Sequence, residues 1–353
     1  MAVFQKSGRK GWQVQVYAGT GDDGRKRYLN RSAATKKEAL QLEAELKVAV
    51  AAGKERPASG KTLADALAAY LEHFQGSEST RYGYGLVIKR LPDTLTTLRL
   101  RQVTPEKLDA YYRSLRRQGY SNSTVRNAHA LIRSVLNRAV KWGWIGSNPA
   151  LNSSPGPTRA GAGRVATEAE VRALLAGDDP DLVFAIRLAC ATGLRRSELA
   201  ALQWSDIDFE AGTLTVSKAL VDAGGRTYEK GTKTNSARVI PLGPATLEML
   251  RARRGIGPVF MIAPGPGHTP VPASPRSLSN RLAALADAVG IEGPDFGWHS
   301  FRHYAGTSLA GVADLRTVAD ILGHSTLRTT ERYVHALAER SRAAVNALDG
   351  TLG

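Results

Sequence analysis

Residues 152–163 read NSSPGPTRAGAG, a run of Pro, Gly, Ser and Ala that holds Arg159 and is followed by Arg164, and no hydrophobic period survives across it. Pro and Gly interrupt helical and strand repeats alike, so a run this dense reads as a linker. A second polar break, residues 53–60, carries Lys54, Glu55, Arg56 and Pro57, with the proline stiffening it. Two such interruptions forbid one continuous core. At 353 residues the chain is long enough for two or three domains, and the breaks delimit residues 1–53, 61–150 and 165–353.

Each part has its own pattern. In the first, residues 12–17 (WQVQVY) alternate apolar and polar as a half-buried strand does, residues 19–24 read as a hairpin connection into residues 25–29, and a short strand is expected near Val3 and Phe4. Thr35 and Glu38 form a capping box for a helix running to about Gly53, with Ala39, Leu42 and Leu46 on one side. The reading is a small α+β unit, three strands plus a helix. The middle part is all-α. Thr62 and Asp65 start a helix carrying Leu63, Leu67, Tyr70, Leu71 and Phe74; a second covers residues 79–91; Thr104, Pro105 and Glu106 open a third that Gly119 closes; a fourth covers residues 123–142. In the third part Thr167 and Glu170 cap a helix, residues 182–191 form a buried one, Gly193 turns the chain, and Arg195 opens the next helix. Residues 207–218 and 238–241 read as strands of a small sheet, with Lys233 near a turn between them, and helices resume at Ala245. Residues 261–276, dense in Pro and Gly, read as a loop. This part is mainly α with a small β-sheet.

The charge balance narrows the partner. Lys and Arg number 48 against 32 Asp and Glu, a net +16, and an excess of that size favours a polyanion, nucleic acid first. A solubilising surface is the plainer alternative. A membrane is not favoured, since there is no basic amphipathic anchor, lipidation motif or long apolar stretch. The start, MAVFQKSGRKG, lacks a signal-peptide core, which argues for the cytoplasm. The single Cys190 excludes an internal disulfide and a cysteine-cluster zinc site, and reads as a small core residue. Lys6, Arg9, Lys10, Arg25, Lys26, Arg27, Arg31, Lys36 and Lys37 crowd the first part. They suit either a sheet that enters a DNA major groove or a solvated basic surface.

Four stretches carry chemistry: ATGLRRSELAAL (191–202), TKTNSARVIPL (232–242), HSFRHYAGTSL (299–309) and LGHSTLRTTERYVH (322–335). Together they supply a tyrosine, two arginines, a lysine and histidines. A tyrosine hydroxyl attacks a phosphate only where the charge growing on the non-bridging oxygens is neutralised, and paired guanidiniums do this in a permanently ionised, bidentate way. Taken singly, each residue has a plainer reading. Arg195 and Glu198 suit a helix-surface ion pair. His299 and His303, four apart, suit a two-histidine metal site, but no glutamate lies between them and no third ligand is evident. Lys233 suits a solvated hairpin, His324 a helix terminus, and Tyr333 a core position.

The joint order Arg195, Lys233, His299-x-x-Arg302-His303, His324, Tyr333 resembles the tyrosine recombinases, the phage integrase branch in particular, over essentially the whole chain. The one departure is Phe301, where leucine is commoner. The resemblance implies that Tyr333 is the nucleophile, leaving a 3′-phosphotyrosyl link, that Arg195 and Arg302 clamp the scissile phosphate, and that Glu198 positions the arginine. It makes Lys233 the general acid, His299 and His303 aids to proton transfer or phosphate orientation, and His324 a hydrogen-bond partner of the phosphate. No metal, nucleotide or other cofactor is implied. The first part resembles an arm-type DNA-binding domain and the second a core-binding, SAM-like helical domain. The implied partners are double-stranded DNA attachment sites of core and arm type, and a homotetramer working through a Holliday junction. Accessory partners are a host DNA-bending factor or an excisionase. A tail, residues 336–353, with Leu337, Ala344 and Leu348 is expected to dock on a neighbouring protomer. Two alternatives stand beside this. A cellular resolvase of the same chemistry would ordinarily lack the first part, and a non-catalytic DNA-binding regulator would have lost one of Arg195, Arg302 or Tyr333.

Overall fold

Alternation in the first strands generates the first hydrophobic layer. In the computed structural model, which describes residues 3–5, 11–20, 26–51, 60–156, 164–231, 237–254, 272–293 and 295–324 with Thr326, Thr329, Thr330 and Tyr333, strands β1 (Val3–Phe4), β2 (Trp12–Thr20) and β3 (Lys26–Ala33) form an antiparallel sheet in that order. Val14 and Val16 of β2 and Leu29 of β3 share a face and bury against Ala39 and Leu46 of α1 (Lys36–Ala51). The Thr35 hydroxyl accepts from the Glu38 amide, and the Glu38 carboxylate accepts from the Thr35 amide, each at 3.2 Å, closing the expected capping box. On the other face Gln13 donates to Ser32 and Gln15 to Asn30, and Tyr17 meets Tyr28 edge-on. Lys6, Arg9, Lys10 and Arg25 lie outside the described residues.

The next block is helical: α2 (Leu63–Glu72), α3 (Glu78–Ile88), α4 (Asp93–Thr96), α5 (Pro105–Arg117) and α6 (Asn122–Lys141). Thr62, Ser77, Thr104 and Ser121 each accept from the amide three residues on, which fixes where four of these helices begin. The second helix thus starts and ends slightly earlier than its apolar pattern suggests, and the short α4 carries too few residues to show a period. One stripe of α6, including Val125, Leu131, Ile132, Val135 and Leu136, packs on Leu63 and Leu67 of α2 and on Leu108, Tyr112 and Leu115 of α5.

Contacts set residues 160–353 apart from residues 1–159 as a unit of their own. It contains α7 (Glu168–Leu175), α8 (Pro180–Thr192), α9 (Arg196–Ala201), β4 (Ile207–Asp208), β5 (Thr213–Val216), β6 (Lys218–Ala223), β7 (Arg226–Gly231), β8 (Arg238–Pro241), α10 (Pro244–Arg253), α11 (Pro275–Ala288), α12 (Trp298–Ala310) and α13 (Leu315–Leu322). β4, β5 and β8 form one antiparallel sheet in that order, and β6 and β7 a separate ribbon. The core gathers Ile186 and Leu188 of α8, Leu199 of α9, Leu278 and Leu282 of α11, and Trp298 and Phe301 of α12. Phe301 is fully buried, so the uncommon aromatic fills core space.

Two expectations need correction. The strand expected over 207–218 is divided, because the Asp208 carboxylate accepts from the amides of Glu210 and Ala211 at 2.9 and 2.8 Å and makes a turn. Beyond it an unexpected hairpin, β6–β7, closes through Gly224 and Gly225, both at positive φ. The loop expected over 261–276 ends before Arg276: Pro275 occupies the first turn of α11 and the Ser274 hydroxyl accepts from Ser277. The rest of that loop through residue 271, most of both linkers, Lys233 and the tail 336–353 lie outside the described residues.

The helical block generates a stability prediction. Ile132 is fully buried among α2, α5 and α6, so Ile132→Ala is expected to cost about 2–5 kcal/mol. Amide hydrogen exchange along α5 and α6 reads that loss, and unchanged protection there would contradict the packing described.

Candidate active site

Four element ends meet at one point. α8 stops at Thr192 because Gly193 takes a left-handed conformation, φ 63°, which a side chain resists. A Cβ there would also overlap Leu322. The turn brings Arg195 directly to the start of α9. Its amide donates to Glu198 Oε2 at 2.9 Å, its Nη1 to Oε1 at 2.8 Å, and its Nη2 to the Gly323 carbonyl at 3.0 Å. Arg302, on the buried side of α12, donates from Nη1 to Gly193 O at 2.7 Å and from Nη2 to Leu322 O at 2.6 Å. Arg238, the first residue of β8, donates from Nε to Ile321 O at 3.1 Å and from Nη1 and Nη2 to the two oxygens of Glu198 at 3.1 and 2.7 Å. Three guanidiniums therefore hold three successive carbonyls, those of Ile321, Leu322 and Gly323. These are carbonyls that the end of α13 leaves without helical partners, at the negative pole of the helix.

Gly323 is again left-handed, φ 66°, and His324 follows it. His324 Nδ1 lies 2.8 Å from the hydroxyl of the fully buried Thr330, and the His324 ring stacks over Tyr333 with centroids 6.5 Å apart. Tyr333 is 3% exposed and packs against Ala310, Val318 and Leu322. Its hydroxyl lies 3.0 Å from His303 Nδ1 and donates there when the imidazole is protonated on Nε2. The ring lies against Gly306, where a Cβ would overlap it.

Charge follows from this geometry. The Glu198 carboxyl, 4% exposed, is held at about 2 rather than 4.5: burial pushes it up, and the hydrogen bonds and charge of Arg238, then those of Arg195, outweigh that. Burial and the charge of Arg195 pull Arg302 down to about 10, which leaves it cationic at neutrality. Three guanidiniums against one carboxylate leave two positive charges in a mostly buried cluster. Such a cluster can hold a phosphodiester and favours the more highly charged pentavalent state.

Arg195, Glu198, Arg302, His303, His324 and Tyr333 are thus gathered, directly or through one shared partner. His299 sits exposed on the first turn of α12. Sequence reasoning missed Arg238, Gly306 and Thr330. Arg238 offered only its position at the head of a strand, whereas Gly306 offered a usable signal, a glycine inside an otherwise regular helix, which commonly marks close packing. Among the described residues no three His, Cys, Asp or Glu side chains come together to share an ion, and no helix is long and apolar enough to cross a membrane.

With this geometry in view, comparison with known proteins decides the family. Residues 164–340 match the phage integrase family and residues 62–154 the phage integrase SAM-like domain. The chain belongs to the phage integrase family. Its enzyme class is that of the site-specific DNA recombinases. It is 29% identical over 279 residues to a tyrosine recombinase XerC-like protein of Caldanaerobacter subterraneus subsp. tengcongensis, covering 69% of this chain and 70% of that one. It is 32% identical over 241 residues to the tyrosine recombinase XerC of Mycobacterium sp. (strain KMS), covering 64% and 76%. The fold is shared with a Tn1549 transposon integrase fragment in complex with transposon right end DNA, TM-score 0.69 at 21% identity over 82% of this chain and 100% of that one. It is also shared with a lambda integrase tetramer bound to a Holliday junction, TM-score 0.63 at 16% identity over 94% of each.

A carboxylate held below its unfolded value stabilises the fold at pH above about 4.5 and loses that contribution as pH falls toward about 2. Glu198→Gln leaves two guanidiniums facing a neutral amide, so at neutral pH it is expected to cost about 3–5 kcal/mol. The gap to wild type should narrow on acidification, because wild type then loses the same charge. Denaturant melts of both proteins along a pH series check this, and a gap indifferent to pH would contradict the buried counter-ion.

Proposed function

We propose that this recombinase cleaves and rejoins duplex DNA with Tyr333 as nucleophile. The observation that carries the reading is the Tyr333 hydroxyl, 3.0 Å from His303, beside a cluster in which Arg195 and Arg238 hold one buried carboxylate and Arg302 holds the carbonyls of Gly193 and Leu322. The phenol oxygen attacks the scissile phosphorus, its proton passing toward His303, and the bond to the 5′ oxygen breaks. Arg195 and Arg302 bear the charge on the non-bridging oxygens, with Glu198 holding Arg195 and His324 donating to the same phosphate. Lys233 protonates the departing 5′ oxygen, an assignment that rests on its sequence motif, and His299 assists from the rim. The 3′-phosphotyrosyl link retains the energy of the broken bond. A 5′ hydroxyl from another strand then attacks it and releases Tyr333.

The larger reading is integration and excision of a mobile element, such as a phage genome, by a tetramer that exchanges strands through a Holliday junction. The polar, amide-rich outer face of the first sheet supports an arm-site role for residues 1–53, with residues 61–150 and 165–353 enclosing the core site. A chromosomal resolvase is the second reading, favoured by the similarity to XerC proteins. Deleting residues 1–55 separates the two: a mobile-element integrase keeps minimal-site cleavage but loses recombination between full attachment sites, whereas a resolvase recombines normally without the segment.

The central test uses nicked suicide duplexes tiled across the genomic DNA flanking the gene. Wild type is expected to accumulate a covalent protein–DNA adduct, and Tyr333→Phe to form none while its DNA affinity stays within about threefold. An adduct from the Phe protein would remove Tyr333 from the chemistry.

A further inference from the structure

Arg238 lies in the 232–242 stretch but was given no role there, yet its guanidinium makes three directed bonds to the cluster. It is 13% exposed, against 39% for Arg195, so it stands behind Glu198 while Arg195 stands in front. Glu198 accepts four hydrogen bonds: Oε1 from Nη1 of Arg195 and Nη1 of Arg238, Oε2 from the Arg195 amide and Nη2 of Arg238. A carboxylate has about four lone-pair sites, so this one is saturated. The third bond of Arg238, from Nε to Ile321 O, grips the end of α13 three residues before His324. The Arg238 stem also shapes that end, since a Cβ at Gly323 would lie 2.9 Å from its Cδ. In sequence, Arg238 stands five residues after Lys233.

We propose that Arg238 is a positioning residue of the cleavage reaction. Through Glu198 it keeps Arg195 turned toward the phosphate, and through Ile321 it fixes the helix end that presents His324. The inference rests on the assignment of Arg195 and His324 to the scissile phosphate made above. Its physical content is competition for lone pairs. Without Arg238 two acceptor sites on Glu198 fall open, and Arg195, which already donates to both oxygens, has further N–H groups able to fill them. Arg195 then closes onto the carboxylate as a full fork, and those donors are lost to the phosphate. A lysine at 238 keeps the charge but cannot span both oxygens and a carbonyl at once. Removing Arg238 also strips Glu198 of the largest influence offsetting its burial, so the carboxyl takes up a proton at higher pH than in wild type.

The experiment measures single-turnover adduct formation by wild type, Arg238→Lys, Arg238→Met and Arg238→Met combined with Glu198→Gln, on the same tiled nicked duplexes, with affinity measured in parallel. Arg238→Met is expected to cleave about a hundredfold more slowly, and Arg238→Lys to fall between it and wild type, with affinities within about threefold of wild type. The Arg238→Met rate should acquire an acid limb absent from wild type, and adding Glu198→Gln should remove that limb, which a merely structural strut would not bring about. Arg238→Lys retains the charge and much of the stem, so it answers the question even where the Met protein folds poorly. Cleavage by Arg238→Lys at the wild-type rate, or loss of affinity in step with cleavage, overturns the proposal. Absence of any adduct from wild type instead overturns the tyrosine-nucleophile reading, and this inference with it.

Discussion

The arginine cluster depends on one buried negative charge, that of Glu198. Guanidiniums repel one another, and burial makes each costlier, so Arg195, Arg238 and Arg302 share a small space only because the Glu198 carboxylate stands among them. The balance is incomplete, since one carboxylate cannot neutralise three cations. The excess of positive charge belongs to whatever anion arrives. A phosphodiester brings one negative charge in its ground state and carries more on its oxygens when a fifth ligand adds to phosphorus. A fixed dipositive cluster therefore gains more from the transition state than from the substrate, which is the condition for rate acceleration.

The fold supplies that arrangement by making several chain ends converge. α8 and α12 are buried helices packed on one another, which places the Gly193 turn beside Arg302. α13 ends at the same point, where the carbonyls of Ile321, Leu322 and Gly323 accept from Arg238 of β8, Arg302 of α12 and Arg195 at the cap of α9. Left-handed glycines at 193 and 323 turn the chain sharply enough for Arg195 and His324 to follow directly. Tyr333 then packs into the space over Gly306, with its hydroxyl on His303. Sequence, local geometry, packing and charge all bear on one site here.

Much of this was legible in the sequence, for reasons that can be named. Capping residues declare helix starts chemically, so Thr35, Thr62, Thr104 and Thr167 stand where they were expected to stand. The alternation of Val14 and Val16 marked the first sheet, and the apolar stripe of α6 marked the helical core. The β6–β7 ribbon escaped notice because its strands mix polar and apolar residues on both faces, and its only signal was the pair Gly224 and Gly225. In the site, motif order pointed to the residues but not to their roles in packing. Spacing placed His299, Arg302 and His303 on one helix face, yet His299 is exposed while the other two are buried, because burial depends on what α12 meets and not on its period. Arg238 was invisible for the same reason: its partners, Glu198 and Ile321, are 40 and 83 residues away.

The claim that most needs a direct answer is which atom joins the DNA. Trypsin cuts after Arg332 and Arg340, so the proposed nucleophile, Tyr333, falls in the short peptide YVHALAER, apart from every other tyrosine of the chain. Trapping the covalent complex, digesting protein and DNA, and sequencing the nucleotide-bearing peptide by mass spectrometry locates the link. The account predicts a phosphodiester on the Tyr333 oxygen of that peptide. A nucleotide carried by any other residue, Tyr304 of α12 included, would contradict it.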